Sequence, residues 1–351
     1  MSLWVDDYRP DSIKTLSYHN DITEQIKRLG NSGDLPHILF YGPSGAGKKT
    51  RINALLKEIF GPGIEKVHID MRQFTTPSNK RLEIAVLSSN FHMELNPSDA
   101  GIHDRLVIQT LIKEIAQTQQ IDANSARKFK VIVISEADCL SKAAQQALRR
   151  TMEKYMGNLR LILCANTTSN ILSPIRSRCL LLRVPAPSCD QIASILLDIG
   201  NKVEIDLPMQ LATNIAQSSG RNLRKAILML EAAHLQNQIL SPSTAVPIPE
   251  WEIYIKETAR FIVRNPSPQS LLEVRTRLYE LLAKCIPPPT LIRMLALEIS
   301  KSVNDRIKPE IIHQAAIYEH RMKGGQKFIV HLEAFVAKAM SIHKREMLNL
   351  Y

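Results

Sequence analysis

Along the first half of the chain, short apolar runs alternate with longer stretches in which apolar residues recur every three or four positions. The runs at 37–41, 66–70, 130–135, 160–165 and 179–184 are too short for helices and predict buried strands. Between them, 48–60, 104–120 and 141–155 carry helical spacing, and Gly61-Pro62-Gly63 stops the first of these helices. This alternation predicts an α/β fold, a mostly parallel sheet with helices on both faces. Beyond the stiff segment Val184-Pro185-Ala186-Pro187-Ser188 the strand pattern disappears, and 189–238 read as a small helical unit. A second proline-rich linker covers 241–249, and 250–351 are helical again, broken by Pro266, Pro268, Pro287-Pro288-Pro289 and Gly324-Gly325. The pattern thus predicts three parts: a nucleotide-binding-type sheet domain at 1–185, a helical lid at 186–245 and an all-helical domain at 246–351. No repeat of 20 to 50 residues is visible, which argues against a solenoid.

Composition narrows this only a little. At 351 residues, 44% hydrophobic and 23% charged, the chain is ordinary globular material with room for two or three cores. No apolar stretch approaches the roughly 20 residues that a bilayer crossing needs, and acids stand where a signal peptide would carry its apolar run, so no membrane partner is expected. The five cysteines are scattered, odd in number and without a CxxC pair. They argue against a zinc ribbon or a disulfide framework and for a reducing compartment. His313, His331 and His343 have no paired ligands, so no metal site is expected from them. Met152, Met156 and Met229 read as core filler. The 45 bases exceed the 34 acids by 11. Residues 1–185 carry 25 bases and 18 acids, 186–245 carry 4 and 5, and 246–351 carry 16 and 11. That excess fits either phosphate partners or a plain solvated surface.

The strongest chemical signal is Gly42-Pro43-Ser44-Gly45-Ala46-Gly47-Lys48, which follows a predicted strand and opens a predicted helix. Glycines let backbone N–H groups curl around a phosphate, and Lys48 with the helix N-terminus adds positive charge. The residue that normally brings a magnesium-binding hydroxyl is Lys49. Thr50 is no simple replacement, because one helical step turns its side chain by about 100°. The second metal-side element departs as well. After the strand at 131–134 comes Ser135-Glu136-Ala137-Asp138, with serine where an aspartate would complete the metal site. Glu136 stands where an attacking water would be polarised. The two departures predict a site that binds ATP or ADP, holds Mg²⁺ weakly or not at all, and hydrolyses poorly; Asp138 or water is the competing route to a metal.

These residues carry a resemblance. Trp4-Val5-Asp6-Asp7-Tyr8-Arg9-Pro10, Leu35-Pro36-His37-Ile38-Leu39-Phe40-Tyr41-Gly42, Ala147-Leu148-Arg149-Arg150-Thr151-Met152-Glu153 and Ser177-Arg178-Cys179 resemble the small subunits of replication factor C, the eukaryotic sliding-clamp loader of the AAA+ family, over essentially the whole chain. Lys49 with Ser135-Glu136 narrows the likeness to the small subunit that ends the spiral opposite the large one. Asp7 departs from the basic residue usual before Tyr-Arg-Pro. The resemblance implies that Val5, Tyr8, Arg9, Pro10 and the backbone near Ser17 line an adenine pocket. It matches Asn166 to sensor 1, Arg224 to sensor 2, and Arg178 to an arginine finger reaching a neighbouring subunit's nucleotide. Glu136 then has a catalytic position with little activity. The implied partners are the large and three other small subunits, the sliding clamp, primer-template DNA and, in alternative loaders, other large subunits; the implied place is the nucleus. The helix at 104–120 puts Arg105, Gln109 and Lys113 on one face, which the family uses along the DNA backbone; without the family this is a solvated face. Lys80 and Arg81 are weaker DNA candidates.

Two other functions remain in view from sequence. A self-sufficient P-loop enzyme would need a correctly held metal, which Lys49 and Ser135 oppose. A scaffold that binds nucleotide only structurally differs from the clamp-loader reading in whether Arg178 matters to a partner's turnover.

Overall fold

The structure is a computed structural model that describes residues 2–75, 81–117, 129–237, 240–242, 244–325 and 327–349. It divides into two compact units, Met1–Val246 and Pro247–Tyr351.

The first unit runs through α1 (Trp4–Asp7), α2 (Asn20–Asn31), β1 (Ile38–Tyr41), α3 (Lys48–Phe60), β2 (His68–Thr75), β3 (Arg81–Ser88), β4 (His92–Leu95), α4 (Asp104–Gln117), β5 (Lys130–Ile134), α5 (Lys142–Lys154), β6 (Leu159–Ala165), α6 (Ser173–Arg176) and β7 (Leu180–Arg183). Three longer helices then follow: α7 (Cys189–Lys202), α8 (Met209–Ser218) and α9 (Leu223–Gln236). The strands form one sheet in the order β2-β3-β4-β5-β6-β1-β7. Its strands β4, β5, β6, β1 and β7 run parallel. Apolar runs predicted β1, β5 and β6 because each is covered on both sides, so residues of both parities are apolar. Ile38, Phe40, Val131, Val133, Ile162 and Leu182 pack with α2 and α3. Leu39, Ile132, Ile134, Leu161 and Leu163 point the other way, into a core with α4 and α5.

The edge of the sheet departs from the sequence reading. The strand expected at 66–70 lies at His68–Thr75 and pairs antiparallel with β3, which in turn pairs antiparallel with β4. β3 carries only the short run Ile84–Leu87, with Glu83 and Ala85 exposed while Ile84 and Val86 are buried, and β4 is interrupted by Glu94. Half-buried strands read as alternation, which a search for solid runs passes over. Met156 is a second correction. It is 63% exposed two residues past the end of α5, whereas Met152 and Met229 are buried.

Local signals set the helix ends. Ser141 caps α5 by accepting from Ala144 N at 3.1 Å, and Ser188 forms a capping box with Gln191 at the start of α7. Helices α7, α8 and α9 close their own apolar cluster, and Trp4, Val5 and Tyr8 pack against it.

The second unit holds α10 (Glu250–Arg264), α11 (Pro268–Ala283), α12 (Pro288–Ser302), α13 (Lys308–Met322) and α14 (Phe328–Asn349). Pro268 and Pro288 are the first residues of α11 and α12, where a missing N–H costs no hydrogen bond. Ile255, Val274, Leu278, Leu291, Leu295, Ile311, Leu332 and Phe335 form its buried core. Among the described residues, no helix is long and apolar enough to cross a membrane.

Candidate functional site

The glycine-rich loop lies between β1 and α3, at the carboxyl end of the parallel strands. Gly42 N donates to Ala165 O at 3.3 Å, which ties the loop's start to the end of β6. Gly47 caps α3 with φ 84°, a left-handed conformation that L side chains rarely adopt. A Cβ at Gly47 would also overlap the Tyr18 hydroxyl, which donates to Ala46 O at 3.1 Å. Tyr18 is fixed in turn by Arg51, a side chain with no exposed surface. Its guanidinium donates to Tyr18 O at 2.6 Å and to Thr23 Oγ1 at 2.9 Å, and lies 4.9 Å from the Tyr18 ring centre. Tyr18 and Arg51 therefore brace the loop from beneath, a role that no motif in the sequence announces.

Lys48 is buried, and its Nζ donates to Gly42 O at 2.6 Å, Pro43 O at 2.9 Å and Asn166 Oδ1 at 3.0 Å. Burial pushes its pKa below the usual lysine range, against the opposing pull of Cys164 and Asp138, while Arg224 pushes the same way as burial. A lysine gathered by loop carbonyls and an asparagine at the end of β6 sits where it can grip a phosphate. Substituting Gly47 with Ala should cost about 1–2 kcal/mol of backbone strain. It should also reduce the thermal stabilisation that saturating ADP gives. An ADP-induced shift equal to that of the unchanged chain would contradict this geometry.

The opposite side of the loop opens on a cleft of about 890 Å³, counted with its mouth, within the size range of small-molecule sites. The residues expected at an adenine pocket (Val5, Tyr8, Arg9, Pro10 and Ser17) all line it, together with Gly45, Gly47, Thr50 and Arg224. Helices α7 and α9 contribute Ile195, Ile199 and Ile227, an apolar wall that the sequence reading did not include. The N-terminal segment stays there because Trp4 N donates to Glu231 Oε2 at 3.3 Å and the Trp4 ring lies 5.5 Å from that of His234. The residues after β7 are strapped as well: Arg221 donates to Ala186 O at 2.9 Å and to Pro187 O at 3.0 Å. Pro43 and Ser44 are exposed on the loop.

The metal side is differently furnished. Thr50 faces the cleft, as its one-step rotation from Lys49 requires. Lys49 instead reaches Glu94, with Nζ 2.6 Å from Oε1. Ser135 Oγ donates to that same oxygen at 3.1 Å. Glu136 is exposed with φ 51°, and Asp138 Oδ1 is buried without a hydrogen-bond partner among the described residues. A magnesium ion calls for several oxygen ligands and water in a near-octahedral shell; here an ammonium already holds the carboxylate oxygen. The residues fit a nucleotide's base and phosphates and do not fit the magnesium ion usual beside them. Glu94 was absent from the sequence reading because its strand, β4, was not foreseen.

Arg178 is not among the residues lining that cleft. Its Nη1 donates to Pro174 O at 2.8 Å, and its Nη2 lies 2.6 Å from Glu153 Oε1, which also meets Arg149 at 3.4 Å. The neighbouring Cys179 anchors the turn: it is buried in the sheet core, and burial pushes its thiol up to about 12. Buried Gln145 steadies the preceding segment by donating to Asn170 O and accepting from Leu172 N. A planar cation is thus presented on a fixed turn, its side chain 34% exposed, sharing the Glu153 carboxylate with exposed Arg149. Arg105, Gln109 and Lys113 are all exposed along α4. Asp104 holds the start of that helix to α5 by accepting from Ser141 N and Oγ at 2.7 and 2.9 Å. Lys80 lies outside the described residues; Arg81 begins β3.

Three family models match the chain. The C-terminal domain of replication factor C subunit 3 covers residues 251–347, an AAA+ ATPase lid domain of the RCF1/5-like type covers 194–235, and the DNA polymerase III delta subunit covers 18–188. Replication factor C subunit 3 of Homo sapiens is 52% identical, over 99% of this chain and 98% of its own length. Replication factor C subunit 5 of Neurospora crassa is 49% identical, over 100% and 99%. Among solved structures, a mutant form of Thermotoga maritima RuvB is 16% identical with a TM-score of 0.51, covering 78% of this chain and 85% of that one. At that identity the likeness concerns the fold, a P-loop AAA+ sheet followed by helical parts.

Proposed function

Because the chain belongs to the replication factor C subunit family, in the branch named subunit 3 in animals and subunit 5 in fungi, we propose that it is one subunit of a hetero-pentameric, ATP-dependent loader that opens a sliding clamp and places it at primer-template junctions in replication and repair. In this reading it works in the nucleus with the large subunit and three other small subunits, and its exposed Arg105, Gln109 and Lys113 follow the DNA backbone without reading sequence. Lys80 and Arg81 would add to that contact. Alternative loaders with other large subunits use the same surfaces.

The chain binds ATP or ADP between the glycine-rich loop and the cleft that Val5, Tyr8, Arg9, Pro10 and Ser17 line. Lys48 takes the phosphates, Asn166 and Arg224 sense them from β6 and the start of α9, and the backbone of 42–47 wraps them. Hydrolysis here is poor, since Lys49 is a cation where a metal-binding hydroxyl is usual, the neutral Ser135 hydroxyl stands where an aspartate is usual, and Glu136 is exposed. What the chain gives to turnover is Arg178, offered to a neighbour's nucleotide, where a permanently charged fork can hold transferring phosphate oxygens. The single observation that carries the reading is the pairing of a complete phosphate cradle with an ammonium–carboxylate pair on its metal side.

ATP turnover by the isolated chain is the direct test. It should fall far below about 1 s⁻¹, the lower end of kinase-like rates. Turnover at or above that rate would return the chain to the class of self-sufficient P-loop enzymes.

A further inference from the structure

Lys49, Glu94 and Ser135 come from three separate elements and meet at one oxygen. Strands β4 and β5 run parallel with Glu94 level with Val133 and Leu95 level with Ile134, and Ser135 N donates to Leu95 O at 3.0 Å. That register brings the Glu94 carboxylate beside Ser135 at the ends of the strands. The first turn of α3 supplies Lys49, whose ammonium lies 2.6 Å from Glu94 Oε1, while Ser135 Oγ donates to it at 3.1 Å. The Glu94 side chain is only 14% exposed. A carboxylate so covered is paired here with a cation, the usual arrangement for a buried charge.

We propose that the Lys49 ammonium is the resident cation of a seat made by Glu94 and Ser135, so that this site takes its nucleotide without a divalent metal and Glu94 is a masked metal ligand. The inference rests on the nucleotide reading above. The physical argument is competition for one oxygen. A divalent ion using Glu94 Oε1 must either displace the ammonium, leaving Lys49 without its partner, or lie against it and meet like-charge repulsion. Removing the ammonium changes the seat's character: a hydroxyl at position 49, the Glu94 carboxylate and the Ser135 hydroxyl form an all-oxygen set of the kind that hard divalent ions prefer. Lys49 is 41% exposed in its side chain, so its replacement disturbs little packing. Glu94 thus stands in for the acid missing at position 135, reached from the neighbouring strand.

The test uses the full chain and a fluorescent ADP analogue, titrated once with magnesium and once with EDTA. For the unchanged chain the two dissociation constants should agree within about a factor of two, well under the tenfold that 1.4 kcal/mol would give. In Lys49→Thr, magnesium should tighten binding by about tenfold or more, the scale of a gained metal contact. Lys49→Thr/Glu94→Gln should return to parity, whereas Lys49→Thr/Asp138→Asn should keep the gain. Paramagnetic Mn²⁺ titrations of the same variants give a readout independent of nucleotide fluorescence. Tenfold tightening by magnesium in the unchanged chain, which needs no variant to fold, would overturn the proposal. So would a Lys49→Thr chain that gains nothing, or a gain that survives Glu94→Gln and vanishes with Asp138→Asn. Loss of binding in both buffers by the unchanged chain would instead overturn the nucleotide reading on which the proposal stands.

Discussion

A chain ending at Val246 should fold, bind nucleotide and fail to join its partner subunits. The expectation rests on the division of the molecule into the units Met1–Val246 and Pro247–Tyr351, each with its own buried core. The second unit closes a five-helix core yet leaves Leu272, Leu297, Ile312 and Val330 at least half exposed. Large apolar side chains left in water on an otherwise well-packed bundle are the material of subunit contacts. A stable interface needs about 1,000 Å² or more of buried surface, and a helical collar can supply it whether or not nucleotide is bound. Co-purification after joint expression measures the outcome. The fragment should keep its ADP-dependent thermal shift and yet be missing from the complex. Recovery of the fragment in stoichiometric amount with the full set of partners would contradict this role for residues 247–351.

Several elements were legible because local and tertiary requirements coincide in the sequence. The helix at 48–60 was read to its ends, since a left-handed glycine must precede it and Gly61, with φ 77°, must follow it. The inner strands β1, β5 and β6 were legible because burial on both faces leaves them few polar positions. The antiparallel partner β3 of the strand expected at 66–70, and the strand β4, were not, because their apolar positions are short or interrupted by polar ones. That omission hid the most informative contact of the metal side. Lys49 and Ser135 were visible as departures from a motif, but the Glu94 that joins them becomes a neighbour only through the β4–β5 register. Likewise Ser-Arg-Cys pointed to Arg178, while Glu153, which holds it, belongs to α5 and announces nothing by spacing. The base-side cleft was foreseen from its N-terminal segment and loop. Its wall from α7 and α9 was not, because apolar faces within a helical bundle look alike in sequence.

Arg178→Ala should leave this chain folded and binding its own nucleotide, and should slow hydrolysis at the adjoining subunit. Nothing in the nucleotide cleft touches Arg178, whose partners are Glu153 and Pro174 O. Both contacts lie at the surface, so losing them costs about 1 kcal/mol or less. An arginine supplied in trans is worth about 10³ to 10⁵ in turnover in P-loop systems, roughly 4 to 7 kcal/mol of transition-state stabilisation. Because a loader shares work among several sites, the loss summed over the whole complex should be smaller than the loss at the one affected site. Arg178→Lys should rescue poorly, since it keeps the charge and loses the planar fork that grips two oxygens. Adding unchanged chain during assembly should restore the rate.

Single-turnover ATP hydrolysis, in complexes where only the site adjoining Arg178 can bind ATP, tests the central claim most directly. With clamp and primed DNA present, Arg178→Ala should lower this rate by about a hundredfold or more while the complex stays intact. An unchanged rate in an intact complex would contradict the claim, and would leave the chain as a nucleotide-bound scaffold.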